Sequence, residues 1–143
     1  MVESQGTVLV RGGAEGFTQQ ITAGRHHLVA DEPVDVGGSD KGPGPYELIL
    51  AALGSCMSMT IALYARRKQI PLRGVVIRLG HSRDHESDCE NCMTDDVRLD
   101  RVVVRLELEG PFTAEQRTKL VEVAHKCPVH RTLSAGINIQ IEA

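Results

Sequence analysis

The stretch that decides the fold is PYELILAALGSCMSMTIALYARRKQI, residues 45–70. From Leu48 to Ala65 every position is apolar or small, which predicts a helix buried on all sides. Pro45 suits a first helical position, and Pro71 cannot continue the helix. A membrane span is the alternative, but small and hydroxyl-bearing residues interrupt a run already at the lower limit of about 18 residues. We therefore expect the central core helix of a soluble domain.

The bulk composition indicates one soluble domain without a nucleic-acid surface. The chain has 143 residues, a length that suits one core and not two, and its formal net charge is −3. Trp is absent, aromatic residues make up 3%, and the charges are mixed, so a base-stacking platform or a basic stripe is not expected. The N-terminus lacks the basic-then-apolar pattern of a signal peptide. We expect a single domain over residues 1–143, in the cytoplasm, with no nucleic-acid or membrane partner.

Two groups of strands flank the central helix. Before it, three short apolar or β-branched segments punctuated by glycines predict an antiparallel meander. These segments are residues 5–11, 17–22 and 26–31. After it, residues 72–80 and 97–109 alternate in polarity and predict a strand pair joined by a polar loop at 81–97. The turn-rich connection at 31–44 is long enough to be functional.

A second helix and a last strand complete the chain. The helix is predicted to begin at Thr113, which matches a capping box with Gln116, and to end at Pro128. After a short turn at 130–134, residues 137–141 alternate isoleucine with polar side chains and predict a strand. The order β-β-β-α-β-β-α-β groups its strands, so the predicted class is α+β with mostly antiparallel sheets.

Cys56, halfway along the central helix, is the first candidate for chemistry because small residues flank it. The alternative is a core thiol without chemistry, since free cysteine is among the most buried residue types. Cys127 directly precedes Pro128 on the other predicted helix. Two such cysteines can form a redox pair if packing brings their Cα atoms within about 7 Å. The sequence alone leaves that distance open.

The polar loop carries a second group of candidates. Its potential ligands are His81, His85, Cys89 and Cys92. Cysteine and histidine are the ligand types of structural zinc sites, although the pairs lie closer together than in most of those sites. The alternatives are exposed bystander thiols, or a dithiol that delivers electrons to Cys127. No other cofactor is expected.

Two motifs resemble those of the OsmC/Ohr family, the osmotically inducible and organic-hydroperoxide-resistance proteins. They are GPGPYELILAALGSCM at residues 42–57 and KCPVHRTL at 126–133. The stretch GRHHLVADEP at 24–33 and the DCENC segment at 88–92 place the chain nearer to the OsmC-like branch than to Ohr itself. The element order fits as well, so the resemblance covers nearly the whole chain. It implies an intertwined homodimer with each active site at the subunit interface, and oxidative-stress defence by thiol-based reduction of hydroperoxides.

The resemblance also implies roles for particular residues. Cys56 matches the cysteine that attacks the peroxide, and Cys127 matches the cysteine that resolves the resulting sulfenic acid as a disulfide. An external dithiol of unknown identity would then reduce that disulfide. The apolar surroundings of Cys56 favour an organic hydroperoxide over hydrogen peroxide.

The polar support of Cys56 departs from the pattern of the best-known family members. Ala14 stands where they carry an activating arginine, and Tyr46 stands where they carry its glutamate partner. Arg25 and Arg11 are the candidate substitutes for the arginine, and Glu47 is the candidate residue to orient one of them. The alternative for Arg25 is a solvated charge at the end of a strand.

Two other functions fit the residues. One is a zinc-stabilised or redox-sensing binding module that uses His85, Cys89 and Cys92 and turns over no peroxide. The other is a small-molecule binding protein that uses the dimer pocket and leaves Cys56 inert. The first expects zinc that is lost in a Cys92→Ser variant, and the second expects Cys56 to react with alkylating agents like a free peptide thiol.

Overall fold

The structure, a computed structural model, describes residues 6–85 and 98–143. Its contacts divide the chain into two compact units, Met1–Ile49 and Leu50–Ala143. The longest helix, α1 (Pro45–Arg67), begins in the first unit and continues in the second. The single domain over residues 1–143 stays a prediction.

The first unit contains the predicted meander. Its strands are β1 (Val8–Gly12), β2 (Gln19–Ala23) and β3 (His26–Ala30), paired antiparallel in the order β1-β2-β3. Gly24 lies in the two-residue turn between β2 and β3 with a φ of +59°, a conformation that suits glycine and disfavours other residues. The meander predicted from the glycine punctuation is confirmed.

One buried carboxylate organises the loop that follows β3. Asp31 is 1% exposed and accepts four hydrogen bonds. The donors are the Thr18 hydroxyl at 2.8 Å and the backbone N–H groups of Glu32, Ser39 and Lys41 at 2.8, 3.3 and 3.3 Å. Burial by itself raises the pKa of Asp31, but these hydrogen bonds lower it, and the pKa of the carboxyl lies below its usual value. The ionised side chain therefore ties the loop together.

The second unit places helices against a two-stranded antiparallel sheet. Strand β4 (Gly74–His85) pairs with β5 (Arg98–Glu109), so the predicted strand pair is confirmed, but β4 continues through residues 81–85, where the polar loop was expected to begin. Helix α2 (Ala114–Ala124) begins at the predicted Thr113 cap, and the capping box with Gln116 is formed. Ile61 of α1 and Leu120 of α2 are fully buried in the main core cluster, which packs against both strands.

Helix α1 is buried along one face and not on all sides. Its buried residues recur at helical spacing and pack against side chains of β4 and β5; they are Leu53, Gly54, Met57, Ile61 and Ala65. Met59 and Leu63 on another face are 69% and 46% exposed. By length and hydropathy alone α1 could cross a membrane, but the face packed on the sheet is that of a core helix.

The predicted end of the second helix needs correction. Helix α2 ends at Ala124, and Pro128 begins a third helix, α3 (Pro128–Ala135), where a turn was expected. Proline cannot continue a helix, but its fixed φ and missing N–H suit a first helical position. The same residue therefore separates α2 from α3 and starts the latter.

The predicted last strand is not formed within the chain. Residues 136–143 have no regular secondary structure. Ile137, Ile139 and Ile141 are 61%, 77% and 92% exposed. Their alternation suits a strand, but a strand also needs a neighbour for its backbone N–H and C=O groups, and the described part of this chain supplies none.

Candidate redox site

Helices α1 and α3 bring Cys56 and Cys127 together. Cys127 is fully buried in a cluster with Leu53 and Met57, and the half-buried Cys56 packs against that cluster. Both are free thiols, and both belong to this one group of packed side chains. The structure therefore gives the two sulfurs the proximity that the sequence left open.

A close approach between α1 and β4 fixes the position of Cys56. At Gly54, two residues earlier, an added Cβ would lie 2.8 Å from Cδ1 of Leu79. Leu79 packs against the same cluster as the cysteines. Because Gly54 has no side chain, the helix can lie against the strand at this point, which holds the neighbouring turn of α1 against the sheet.

Cys127 is the N-cap of α3. Its backbone is extended, with φ −62° and ψ 140°, and its Sγ accepts the backbone N–H of His130 at 3.2 Å. The first N–H groups of a helix have no partner within the helix, so the sulfur satisfies one of them. Cys127 therefore has a structural function as well as a candidate chemical one.

Burial raises the pKa of the Cys127 thiol above its ordinary value. The His130 N–H opposes this by stabilising the thiolate, and the neighbouring Cys56 sulfur raises the pKa further. Cys56 is the more accessible of the two thiols, so a reagent from solution reaches its sulfur more easily.

The two polar residues predicted to support Cys56 both lie in the first unit. Arg25 is exposed in the turn between β2 and β3. Glu47, in the first turn of α1, accepts the backbone N–H of Gly44 at 3.0 Å. Glu47 thus satisfies a backbone donor at the start of the helix, as carboxylates at this position often do. Orientation of an arginine by Glu47, and activation of Cys56 by Arg25 or Arg11, stay predictions.

The predicted zinc ligands lie largely outside the described residues. Cys89 and Cys92 fall within residues 86–97, and the side chain of His85 is likewise not described. His81 lies on β4, and its Nε2 is 2.9 Å from Oδ1 of Asp100, a carboxylate that Arg83 also contacts at 3.2 Å. Among the described residues, no three side chains are grouped to hold a metal ion. The zinc site stays a prediction.

A largely apolar cavity of about 580 Å³ shares two lining residues with the cysteine cluster, although neither cysteine lines it. Leu53 and Met57, which pack against Cys127, also line it. The rest of its wall comes from β5, α2 and α3: Asp100, Val102, Val104, Leu106, Val121, Ala124, His125, His130, Leu133 and Ser134. The sequence did not predict this cavity, because its wall depends on α3, and Pro128 had been interpreted only as a helix end.

Asp31 is the other residue that sequence reasoning missed. It lies at the start of the loop that had been marked as functional, and its four hydrogen bonds hold that loop ahead of α1. An aspartate that opens a glycine-rich loop, where backbone N–H groups are unpaired, was the available signal.

Comparison with known proteins gives one family and one fold. The sequence profile described as OsmC-like protein matches residues 38–142. An OsmC-like protein of Mycoplasma pneumoniae has a similar structure, with a TM-score of 0.74, 20% identity, and coverage of 93% of this chain and 89% of that one. No curated protein sequence matches.

Two further solved structures share the fold. An organic hydroperoxide resistance protein, OsmC, from Legionella pneumophila gives a TM-score of 0.65 at 19% identity, covering 92% of this chain and 90% of that one. An organic hydroperoxide resistance protein from Elizabethkingia anophelis gives 0.66 at 17% identity, covering 91% and 88%. The mixed α+β architecture predicted from the sequence is therefore confirmed.

Proposed function

This chain belongs to the OsmC-like protein family, and on that premise we propose that it is a cysteine-based peroxidase that reduces organic hydroperoxides in oxidative-stress defence. The observation that carries the proposal is the packing of the half-buried Cys56 against the cluster that contains the fully buried Cys127. A peroxidase of this kind needs one accessible sulfur to attack and a second sulfur within reach to form the disulfide.

The first step is the attack of the Cys56 thiolate on the peroxide O–O bond. The sulfur bonds to one oxygen, the O–O bond breaks, and the other oxygen leaves as an alcohol after it takes a proton. Cys56 is thereby oxidised to a sulfenic acid. The difference in exposure supports this assignment, since a peroxide reaches the half-buried Cys56 more easily than the fully buried Cys127.

The second step forms the disulfide. Cys127 loses its proton and attacks the Cys56 sulfenic acid, and the oxygen leaves as water. An external dithiol then restores both thiols and is itself oxidised to a disulfide. The packing of Cys56 against the cluster that contains Cys127 supports this step, because it brings both cysteines to one place in the fold. The cycle requires no metal or organic cofactor.

The cavity that Leu53 and Met57 share with the cysteine cluster supports an organic substrate. Its volume of about 580 Å³ lies within the range of small-molecule sites, and its wall is mostly aliphatic. The apolar part of an alkyl or aryl hydroperoxide would lose water contacts there, whereas hydrogen peroxide has no apolar part to bury. We therefore propose that organic hydroperoxides react faster than hydrogen peroxide.

A homodimer belongs to the proposal. Met59 on α1 is 69% exposed, and the isoleucines of the C-terminal tail are more exposed than most apolar side chains in a folded protein. Exposed apolar side chains in this number suit an interface with another chain. A second copy could cover both features and supply the neighbour that the tail lacks. We also propose a cytoplasmic location, where thiols are kept reduced.

The test is a peptide map of the protein under non-reducing conditions after graded additions of cumene hydroperoxide or hydrogen peroxide. A Cys56–Cys127 disulfide should form stoichiometrically, and faster with cumene hydroperoxide. A Cys127→Ser variant is the matched control, in which Cys56 should be oxidised without forming the disulfide. If Cys56 stays reduced while Cys89 and Cys92 are oxidised or hold zinc, the peroxidase proposal fails and the binding module is favoured.

A further inference from the structure

We propose that the external dithiol attacks the Sγ of Cys56 and expels the sulfur of Cys127. This inference rests on the proposed function, in which the Cys56–Cys127 disulfide forms. A disulfide offers two sulfurs to an attacking thiolate, and the sulfur that is attacked decides which cysteine carries the mixed disulfide. The surroundings of the two sulfurs differ in access and in hydrogen bonding, and both differences favour attack at Cys56.

Access separates the two sulfurs first. A thiolate must reach the attacked sulfur itself, so that sulfur needs an open side. Cys127 is 0% exposed and is enclosed by Leu53 and Met57. Cys56 is half-buried at the edge of the same cluster. Attack at Cys127 would require part of the cluster to open, whereas attack at Cys56 would not.

Hydrogen bonding separates them second. When Cys56 is attacked, the electrons of the S–S bond move to the sulfur of Cys127, which develops negative charge. The N–H of His130 lies 3.2 Å from that sulfur, and the N–H of Val129 also lowers the pKa of Cys127. These donors belong to the first turn of α3, where backbone N–H groups stabilise anions. Cys56 lies in the middle of α1, where backbone N–H groups are used by the helix itself.

The steps balance without any further reagent. The dithiol thiolate bonds to Cys56 Sγ, the S–S bond breaks, and Cys127 leaves as a thiolate that then takes a proton. The second thiol of the reductant attacks its own sulfur in the mixed disulfide, which releases Cys56 as a thiolate. The protein gains two electrons, and the reductant leaves as an internal disulfide.

The experiment determines which cysteine carries the mixed disulfide. The full-length protein is oxidised with diamide, so that disulfide formation does not depend on peroxide, and is then treated briefly with limiting 2-mercaptoethanol. Acid stops exchange, and free thiols are alkylated after denaturation. Trypsin separates Cys56, Cys127 and the Cys89–Cys92 peptide, because Lys126 directly precedes Cys127 and Arg83 and Arg98 flank the other pair. The matched control is the same oxidised protein treated in guanidinium chloride.

In the native protein, we expect the adduct on Cys56 to exceed that on Cys127 by about tenfold or more, and in guanidinium chloride the two should agree within about threefold. Equal partition in the native protein, or an excess on Cys127, would overturn the proposal. Failure of diamide to form the Cys56–Cys127 disulfide would also overturn it. If diamide forms the disulfide and cumene hydroperoxide does not, the proposed peroxidase function fails. The ratio of the Cys56 adduct to the Cys127 adduct still decides this inference.

Discussion

Substitution of Cys127 separates its structural function from its chemical one. Cys127 caps α3 through the N–H of His130, and it is also the proposed resolving thiol. Serine offers an oxygen that can accept the same N–H, whereas alanine offers no acceptor. Neither residue can form a disulfide. The Cys127→Ser and Cys127→Ala variants should therefore differ in stability and agree in redox behaviour.

The size of the stability difference follows from the cap. Replacing an N-cap acceptor with alanine costs about 0.5–2 kcal/mol, and a buried N–H left without an acceptor costs about 1–3 kcal/mol. Cys127 is fully buried, so water does not replace the sulfur. We expect Cys127→Ala to lower the free energy of unfolding by about 1–3 kcal/mol, and Cys127→Ser to stay at least about 1 kcal/mol closer to wild type.

The assay is urea unfolding of both variants at one protein concentration, since association would make stability depend on concentration. Thr113→Ala, which removes the cap of α2, calibrates the cost of a lost cap in this protein. In parallel, mass spectrometry follows Cys56 during titration with cumene hydroperoxide. Without a resolving thiol, the Cys56 sulfenic acid should proceed to sulfinic acid in both variants, at peroxide levels where wild type stops at the disulfide.

Two results would refute this reasoning. Equal stability of the serine and alanine variants would mean that the sulfur contributes nothing as a cap of α3. An unchanged peroxide dependence of Cys56 over-oxidation in the two variants would mean that Cys127 does not resolve the sulfenic acid. The two measurements are independent, because the stability difference depends on the His130 N–H and the over-oxidation depends on the packing of Cys127 near Cys56.

Three further predictions concern buried groups and a close backbone contact. Above the ordinary thiol pKa of 9.0, the free energy of unfolding should fall as pH rises through the raised pKa of Cys127. In urea unfolding, Cys127→Ser should show a smaller fall than wild type. Equal falls would contradict this prediction. Asp31 has a lowered pKa, so its contribution to the free energy of unfolding is present above pH 3.8 and is lost on acidification. Asp31→Asn should therefore be less stable than wild type at neutral pH and should lose less stability in acid. Parallel stability profiles against pH would contradict this. Gly42→Ala places a Cβ 2.1 Å from the Val29 carbonyl oxygen and should lower the free energy of unfolding in urea by at least about 2 kcal/mol. The control Gly13→Ala has open space around its Cβ and should lower it by less than about 1 kcal/mol. Equal losses would show that the structure relieves the Gly42 contact.

Local signals predicted most of the secondary structure. The capping box at Thr113 and Gln116 needs only neighbouring residues, and it is formed as predicted. The glycine-punctuated meander and the strand pair β4–β5 also depend on short-range patterns. The packing of Cys56 against the cluster that contains Cys127 does not depend on a short-range pattern. The sequence placed each cysteine on a helix but could not give the packing of those helices.

The errors occur where a residue has two uses or where a partner is needed. Pro128 ends one helix and begins the next, and only the backbone conformation at Cys127 distinguishes this from a simple stop. The alternating isoleucines at 137–141 fit a strand, but alternation does not supply the neighbouring strand. The uniformly apolar α1 suggested burial on all sides, whereas the sheet of the second unit covers one face.

Burial, and not the helix N-terminus, decides the direction in which the pKa of Cys127 is shifted. A helix N-terminus usually lowers the pKa of a thiol, and Cys127 occupies that position on α3. The pKa of Cys127 is nevertheless raised, because loss of hydration costs the thiolate more than the N–H of His130 returns. Cys127 is therefore suited to the proposed role of a leaving sulfur that holds negative charge briefly, while Cys56 is the more accessible sulfur for the proposed attack on a peroxide.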